Sequence, residues 1–330
     1  MNDYIERLNS LVITKNNRLP SVGLFCGGGG LDLGLSLAGF NMAYATDNEA
    51  ACIKTIVHNF PDSYAVTKSA FDLTGKEILE TLGTEEIELL AGGSPCQSFS
   101  ILGKRTALTD QRGLLVFEHI RLINELQPKA FIFENVPGIL NSNKGEDWKL
   151  LIKAFAEKTG YEINFTVLNA AEYGVPQIRK RVFVVGFIDF TLFDFPSPTL
   201  LSNQWIPSEA ALIECKGLCN HVKRNHSAAI VERYSSLKPG TRDKIDRTDR
   251  IDGSKPSGTV LVGSGKGGGR PFIHPWESRH ITTREAARLQ SFPDWYEFKG
   301  TPTQQYRQVG NAVPVLLAKA LGESIIKALA

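Results

Sequence analysis

The chain of 330 residues is long enough to bury one large core and to carry a smaller second unit. Its 42% hydrophobic and 22% charged content is ordinary for a globular protein, and no apolar run approaches the roughly eighteen residues of a membrane span. The net charge of only +2 excludes a uniformly basic chain, yet the charge is unevenly placed: Cys215 to Gln290 carries 15 Lys and Arg against 7 Asp and Glu, leaving 22 against 28 elsewhere.

That basic later third is either a solvated face or a phosphate-contacting one. The polar start Met1-Asn2-Asp3 is no secretory signal, and five cysteines at 26, 52, 96, 215 and 219 have no framework spacing. A cytoplasmic protein with no membrane partner and reduced thiols is expected.

Residues 1 to 20 are polar and unpatterned, and no function is assigned to them. Ser21 to Phe25 reads as a first strand running into Cys26-Gly27-Gly28-Gly29-Gly30 and a helix through Leu31, Leu33, Leu35, Leu37 and Ala38. Strand, glycine turn and helix make a nucleotide-type site, because glycines let backbone approach a ligand and the helix start offers free N–H groups. A second strand, Met42 to Thr46, ends at Asp47, where an acid can accept hydrogen bonds from ribose hydroxyls of a dinucleotide or of S-adenosylmethionine. Asp72 falls where a third strand should end; it is placed for an adenine amino group or, equally, as a cap for the helix starting at Gly75.

The apolar run Glu86 to Ala91 then delivers Gly92-Gly93-Ser94-Pro95-Cys96-Gln97 to a strand's carboxyl end, the position of ligands and catalysts in an open α/β sheet. Cys96 is either a reactive thiol or packing. A polar loop from Ile101 to Gln111 reads as a mobile lid. A helix over Leu114 to Leu126 leads to the strand Lys129 to Phe133, which sends Glu134 to the same edge. A carboxylate there is either a functional group or a cap.

Further on, a helix from Asp147 to Lys158 and a segment from Glu162 to Asn169 precede Gln177-Ile178-Arg179-Lys180-Arg181 and the strand Val182 to Phe187. Arg179 and Arg181 share a face at i and i+2, and Arg181, at the strand mouth, is better placed to reach inward. From Asp194 to about 280 the chain is irregular, basic and rich in Gly and Pro. Its Gly263 to Arg270 run is a flexible loop or a groove reader with Lys266 and Arg270 on phosphates or base edges. Cys215, Cys219, His221 and His226 resemble a metal set, but the spacing is too short for a zinc finger and no metal is expected. Thr282 to Glu285 has capping-box spacing, and Gln308 to Pro314 reads as a second glycine turn before an apolar helix from Val315 to Leu329 that should pack on the first domain.

Phe25-x-Gly27-x-Gly29-Gly30, Gly93-x-Pro95-Cys96-Gln97, Asp110-x-Arg112-Gly113, Glu134-Asn135-Val136, Gln177-x-Arg179-x-Arg181, Arg284-x-x-x-Arg288-x-Gln290-x-Phe292-Pro293 and Gly310-Asn311-x-Val313 together resemble, in order and spacing, the motif series of the cytosine-C5 DNA methyltransferases of the bacterial or phage modification type. The departures are small: Cys26 and Gly28 stand where Ser or Ala is common, and Ser94 where Pro or Phe is.

The resemblance implies a Rossmann-like S-adenosylmethionine-dependent methyltransferase sheet with helices on both faces. Residues 1–190 and 304–330 would form the catalytic domain, and residues 191–303 a target-recognition domain across a DNA cleft. It implies Cys96 as nucleophile, with Glu134, Arg179 and Arg181 as catalytic partners. Phe25, Gly27, Gly29, Gly30, Leu31, Asp47, Asn48, Asp72, Leu73, Pro95, Leu115, Asn311 and Val313 would bind S-adenosyl-L-methionine, released as S-adenosyl-L-homocysteine. Gln97, Ser100, Leu102, Lys104, Arg105, Lys266 and Arg270 would contact double-stranded DNA. A monomer is expected, with any cognate restriction endonuclease acting independently.

Three rivals are weighed. A nicotinamide oxidoreductase shares the glycine turn and Asp47 but does not require Cys96, Glu134 and Arg181. A tRNA cytosine methyltransferase shares the chemistry but not the reason for a long basic segment. A DNA-binding module with a dead site leaves the chemical groups unexplained.

Overall fold

The computed structural model describes residues 3–14, 19–94, 111–189, 192–262 and 271–330, residues 111–113 by their backbone alone. Among these, seven strands form one sheet in the order β3-β2-β1-β4-β5-β7-β6. They are β1 (Leu19–Leu24), β2 (Phe40–Asp47), β3 (Tyr64–Thr67), β4 (Leu89–Gly92), β5 (Ala130–Asn135), β6 (Glu162–Asn169) and β7 (Lys180–Phe187). β1 to β5 are mutually parallel, and β7 runs antiparallel to both β5 and β6. β4 and β5 are buried along their whole length, as expected of central strands covered on both faces.

The register explains where the site forms. Leu24 lies beside Gly92, and Gly92 beside Phe133, so β1, β4 and β5 release their chains side by side at Phe25, Gly93 and Glu134. Because β7 is reversed, its amino end, not its carboxyl end, reaches that edge, with Asn135 opposite Val182. Arg181 therefore arrives next to Glu134 through strand polarity.

One face of the sheet packs Leu73, Ile78, Val116, Ile120, Ile123, Leu151 and Phe155 against Phe131 and Phe133. These side chains come from α4 (Gly75–Leu82), α5 (Gln111–Leu126) and α6 (Glu146–Thr159) and the turn before α4. The other face holds α2 (Gly30–Ala38) and the closing helix α10 (Val315–Leu329), through Leu31, Leu35, Leu317, Leu321 and Ile325. The closing helix thus packs where the sequence places it.

Two local expectations change. Residues 3–9 form a helix, α1 (Asp3–Asn9), whose Tyr4, Ile5 and Leu8 are buried. Tyr4 Oη donates to Arg288 O at 2.8 Å, and Asn9 exchanges hydrogen bonds with Asp294. The apolar face is too short to stand out as a pattern, and partners 285 residues away supply its stability. Gln308-Val309-Gly310-Asn311 ends a helix, α9 (Pro302–Asn311), instead of forming a glycine turn; the chain breaks only at Ala312 to Pro314. The capping box forms as expected: Glu285 N donates to Thr282 Oγ1, and Thr282 N donates to Glu285 Oε2 at 2.7 Å.

Asp32, in the first turn of α2, is buried, and desolvation pushes its carboxyl up to about 7. The folded value exceeds the unfolded one, so the native state binds the extra proton, and stability falls as pH rises from about 4 to 7. Asp32→Asn, which mimics the neutral form, should gain up to about 4 kcal/mol over the parent at pH 8.5 and less than half of that at pH 5. Urea denaturation at the two pH values checks this, and an equal difference at both would sink it.

Candidate active site

Glu134 and Arg181 are the centre of the strand edge. Arg181 Nε lies 2.9 Å from Glu134 Oε1, with each side chain only 12% exposed. Burial raises the Glu134 carboxyl above the usual carboxylate range, against the pull of Arg181 and then Arg179. Burial also lowers Arg181. The pair is thus charged but poorly solvated, with a carboxylate held closer to protonation than an exposed one.

The neighbouring turn after β4 is built around this carboxylate. A side-chain carbon on Gly93 would lie 2.6 Å from Glu134 Oε2. Asn135 Nδ2 donates to Ser94 O at 3.2 Å, while its Oδ1 accepts from Val136 N at 2.8 Å. Asn135 therefore ties the turn leading toward Cys96 to the turn that carries Glu134. Gly93→Ala should push the carboxylate off Arg181 and lower kcat by about tenfold or more, consistent with the cost of small misplacements at a reacting centre. Unchanged steady-state turnover in a folded variant would refute the close fit.

The glycine turn is the second half of the site. Phe25, Gly27 and Gly29 have φ of 55°, 54° and 75°, a left-handed sequence closed by Gly29 N donating to Cys26 O at 2.8 Å. Gly29 lies against the Tyr296 hydroxyl, Gly30 against the carbonyl of Val313, and Tyr296 Oη donates to Gly28 O at 2.9 Å. Asp47 accepts from Gly27 N and from Glu49 N, each at 2.9 Å, one on each carboxylate oxygen. Each carboxylate oxygen has a further lone pair, an acceptor set that fits vicinal ribose hydroxyls.

Phe25, Gly27, Gly29, Gly30, Leu31, Asp47 and Val313 therefore come together, Leu31 and Val313 being buried there. Asn48 and Asn311 are exposed, and Leu115 is half-buried in α5. Leu73 is buried and Asp72 is exposed at the end of a short 3-10 turn, five residues past β3. Asp72 does not cap α4; Thr74 does. Nor does Glu134 cap the turn that follows it, where Val136 holds the capping position. Pro95, Cys96, Gln97, Ser100, Leu102, Lys104, Arg105, Lys266 and Arg270 lie outside the described residues.

Arg179 is the residue whose placement departs most from its grouping with Arg181. It precedes β7, is 1% exposed, and donates from Nη1 to Val260 O at 3.2 Å and from Nη2 to Gly310 O at 2.9 Å. Its guanidinium is turned to backbone carbonyls, apart from the Arg181–Glu134 pair with which it was grouped. Gln177 and Gln290 enter the sequence reading only as motif positions without a role, and Tyr296 not at all, because their partners are distant in sequence. The Cys/His set also separates. Cys219 Sγ faces Glu297, and His226 packs on His280, while Cys215 and His221 approach Glu285. Both Glu285 oxygens already accept from Arg279, at 2.7 and 2.9 Å, so a cation there would compete with a guanidinium.

A sheet of this order, with a glycine turn after β1, an acid at the end of β2 and a buried carboxylate–arginine pair at the same edge, defines a Rossmann-like methyltransferase. The family model for C-5 cytosine-specific DNA methylase matches residues 20–327. The chain belongs to that family, and its enzyme class is DNA (cytosine-5-)-methyltransferase.

It is 34% identical over 361 residues to Type II methyltransferase M.XorII of Xanthomonas oryzae, covering 93% of this chain and 84% of that protein. It is also 34% identical over 333 residues to M1.HphI of Haemophilus parahaemolyticus, covering 94% and 87%. A solved prophage-encoded DNA modification methyltransferase of E. coli superposes with a TM-score of 0.82 at 28% identity, over 94% of this chain and 99% of that one. Dnmt2 methyltransferase of S. pombe, at 18% identity and a TM-score of 0.72 over 94% and 99%, shares the fold. Among the described residues no helix is long and apolar enough to cross a membrane.

Proposed function

We propose that this enzyme methylates carbon 5 of a flipped-out cytosine in one short duplex sequence, through a covalent bond from Cys96 to carbon 6, with S-adenosyl-L-methionine as donor. The observation that supports this reading most is the buried Arg181–Glu134 pair, 2.9 Å apart beside the turn that leads to Cys96.

The chemistry needs such a pair. Carbon 5 of cytosine is a weak nucleophile until a thiolate adds to carbon 6 and loads electron density into the ring. Cys96 forms that bond as thiolate and must have its proton removed first. The developing charge is met at N3 by a proton or hydrogen bond from Glu134, whose raised affinity for a proton suits it to the task. Arg181 donates to O2 and stabilises the same charge. Loss of the C5 proton and release of the sulfur end the cycle.

S-adenosyl-L-methionine supplies an electrophilic methyl group when bound, leaving S-adenosyl-L-homocysteine. Asp47 would take its ribose hydroxyls, Phe25 its adenine face and Asp72 its amino group, with Gly27, Gly29, Gly30, Leu31, Asn48, Leu73, Pro95, Leu115, Asn311 and Val313 around them. A target base is inaccessible in a duplex, so it is flipped. Gln97, Ser100, Leu102, Lys104 and Arg105 would face the DNA from the catalytic domain (1–190 and 304–330). Lys266 and Arg270 would do so from the recognition domain (191–303). The enzyme acts as a monomer, and any restriction endonuclease with the same target acts separately.

Incubating the protein with S-adenosyl-L-methionine and unmethylated mixed-sequence DNA, then mapping 5-methylcytosine at single-base resolution, tests the reading. Methylation confined to one short motif is expected. No DNA methylation beside methylation of tRNA would overturn it in favour of an RNA substrate.

A further inference from the structure

Residues 257–260 lie alongside residues 176–179 like a short added strand. Ser257 N donates to Pro176 O at 3.0 Å, and Ile178 N to Ser257 O at 2.8 Å. Thr259 Oγ1 donates to Ile178 O at 2.9 Å, and Val260 N to Gln177 Oε1 at 2.8 Å. Arg179 closes the seam on Val260 O and reaches Gly310 O with its other end.

Gln177 continues the network by donating to Leu289 O at 3.1 Å and to Gln290 Oε1 at 2.9 Å. Gln290 in turn donates to Val309 O at 2.8 Å and Ala312 O at 3.2 Å. Gln177 and Gln290 are wholly buried and Arg179 nearly so. Val262, just past the seam, packs on Gly310. One buried knot therefore holds four things: the 257–262 stretch, the strand mouth two residues before Arg181, the end of α8 (Thr283–Leu289), and the 309–313 segment that abuts Gly30.

This is an expensive way to fasten these segments. Among the described residues, the hydrogen bonds of the buried Arg179 cation go only to neutral carbonyls, with its Nε unpaired. The nearby carboxylate, Glu134, is hydrogen-bonded to Arg181 instead. An apolar contact would hold the same backbone at lower cost. What the knot adds is directionality: the carbonyls of Val260 and Gly310 must both be in place for Arg179 to be satisfied.

We infer that Arg179, with Gln177 and Gln290, is a positioning device that makes the placement of the Arg181–Glu134 pair depend on how the 257–262 stretch is seated, so that target discrimination is expressed in turnover as well as in binding. This rests on the proposed function, since it takes 191–303 as the DNA-reading segment.

The test uses the full chain, one duplex carrying the mapped target and one with a single base-pair change in it. Arg179→Lys keeps the charge but cannot span two carbonyls. It should lower kcat on the target by about tenfold, leave the KM for DNA within about threefold, and shrink the kcat ratio between the two duplexes by about tenfold, each factor of ten being about 1.4 kcal/mol. Thr259→Val removes one seam hydrogen bond from a half-buried residue without touching the pair, and should shrink that ratio about threefold at a nearly unchanged melting temperature.

A merely structural role would scale both duplexes equally, so an unchanged ratio in both variants overturns the inference. So does a parent enzyme whose discrimination lies wholly in KM. If Arg179→Lys does not fold, Thr259→Val decides. A parent that methylates neither duplex refutes the proposed function itself, a distinct outcome.

Discussion

Glu134→Gln should lower kcat for methyl transfer by about two to four orders of magnitude, the range for removing a positioned general acid. The amide keeps the shape of the side chain and can still donate a hydrogen bond, but it cannot deliver a proton to N3. Binding of S-adenosyl-L-methionine should change little, because Asp47 is held by Gly27 and Glu49 and not by the Arg181–Glu134 pair. The pH profile gives a sharper readout. Burial raises the folded value of Glu134, and the acid acts only when protonated, so kcat should fall as pH rises through that value. The Gln variant should lack this alkaline limb. Losing the carboxylate also leaves Arg181, only 12% exposed, without its counter-charge, which should lower the melting temperature. Turnover within about threefold of the parent would remove Glu134 from the chemistry.

Cys96→Ser should abolish turnover, by more than about three orders of magnitude, because a hydroxyl is neither acidic nor nucleophilic enough to add to carbon 6 near neutral pH. Duplex binding should survive. A duplex with 5-fluorocytosine at the target distinguishes a missing bond from a misfolded site, since fluorine at carbon 5 blocks the final elimination. With S-adenosyl-L-methionine present, so that carbon 5 carries both methyl and fluorine and has no proton to lose, the parent should form a protein–DNA complex that resists denaturant, and the Cys96→Ser variant should form none. A denaturant-resistant complex formed by the variant, or full activity of the variant, would transfer the nucleophile to another residue.

Much of the sheet is legible in the sequence because buried strands and amphipathic helices leave local traces. The runs Ser21 to Phe25, Met42 to Thr46 and Lys129 to Phe133 are short, apolar and bounded by glycine or charge, and each overlaps a strand that ends at the site edge. The Thr282–Glu285 box is equally local, needing only residues three apart. Asp72 lies five residues beyond the strand end where it was expected, because β3 is a four-residue edge strand that stops at Thr67. The helix at Asp3–Asn9 leaves too short a trace, having one face of three buried residues and distant partners.

By itself the sequence determined which chemical groups the enzyme carries and in what order. Glycines, an acid, a thiol, a carboxylate and paired arginines at these spacings suffice to define the family, since each motif is a local match of residue type to task. Only the tertiary structure decided which partners the two arginines meet. Reversal of β7 sets Arg181 on Glu134, while Arg179, two residues earlier, turns to carbonyls 81 and 131 residues away. Local spacing specifies the face a side chain leaves from. Which partner it meets is settled by long-range packing, where a buried guanidinium must satisfy its donors with whatever carbonyls the assembled core brings within reach.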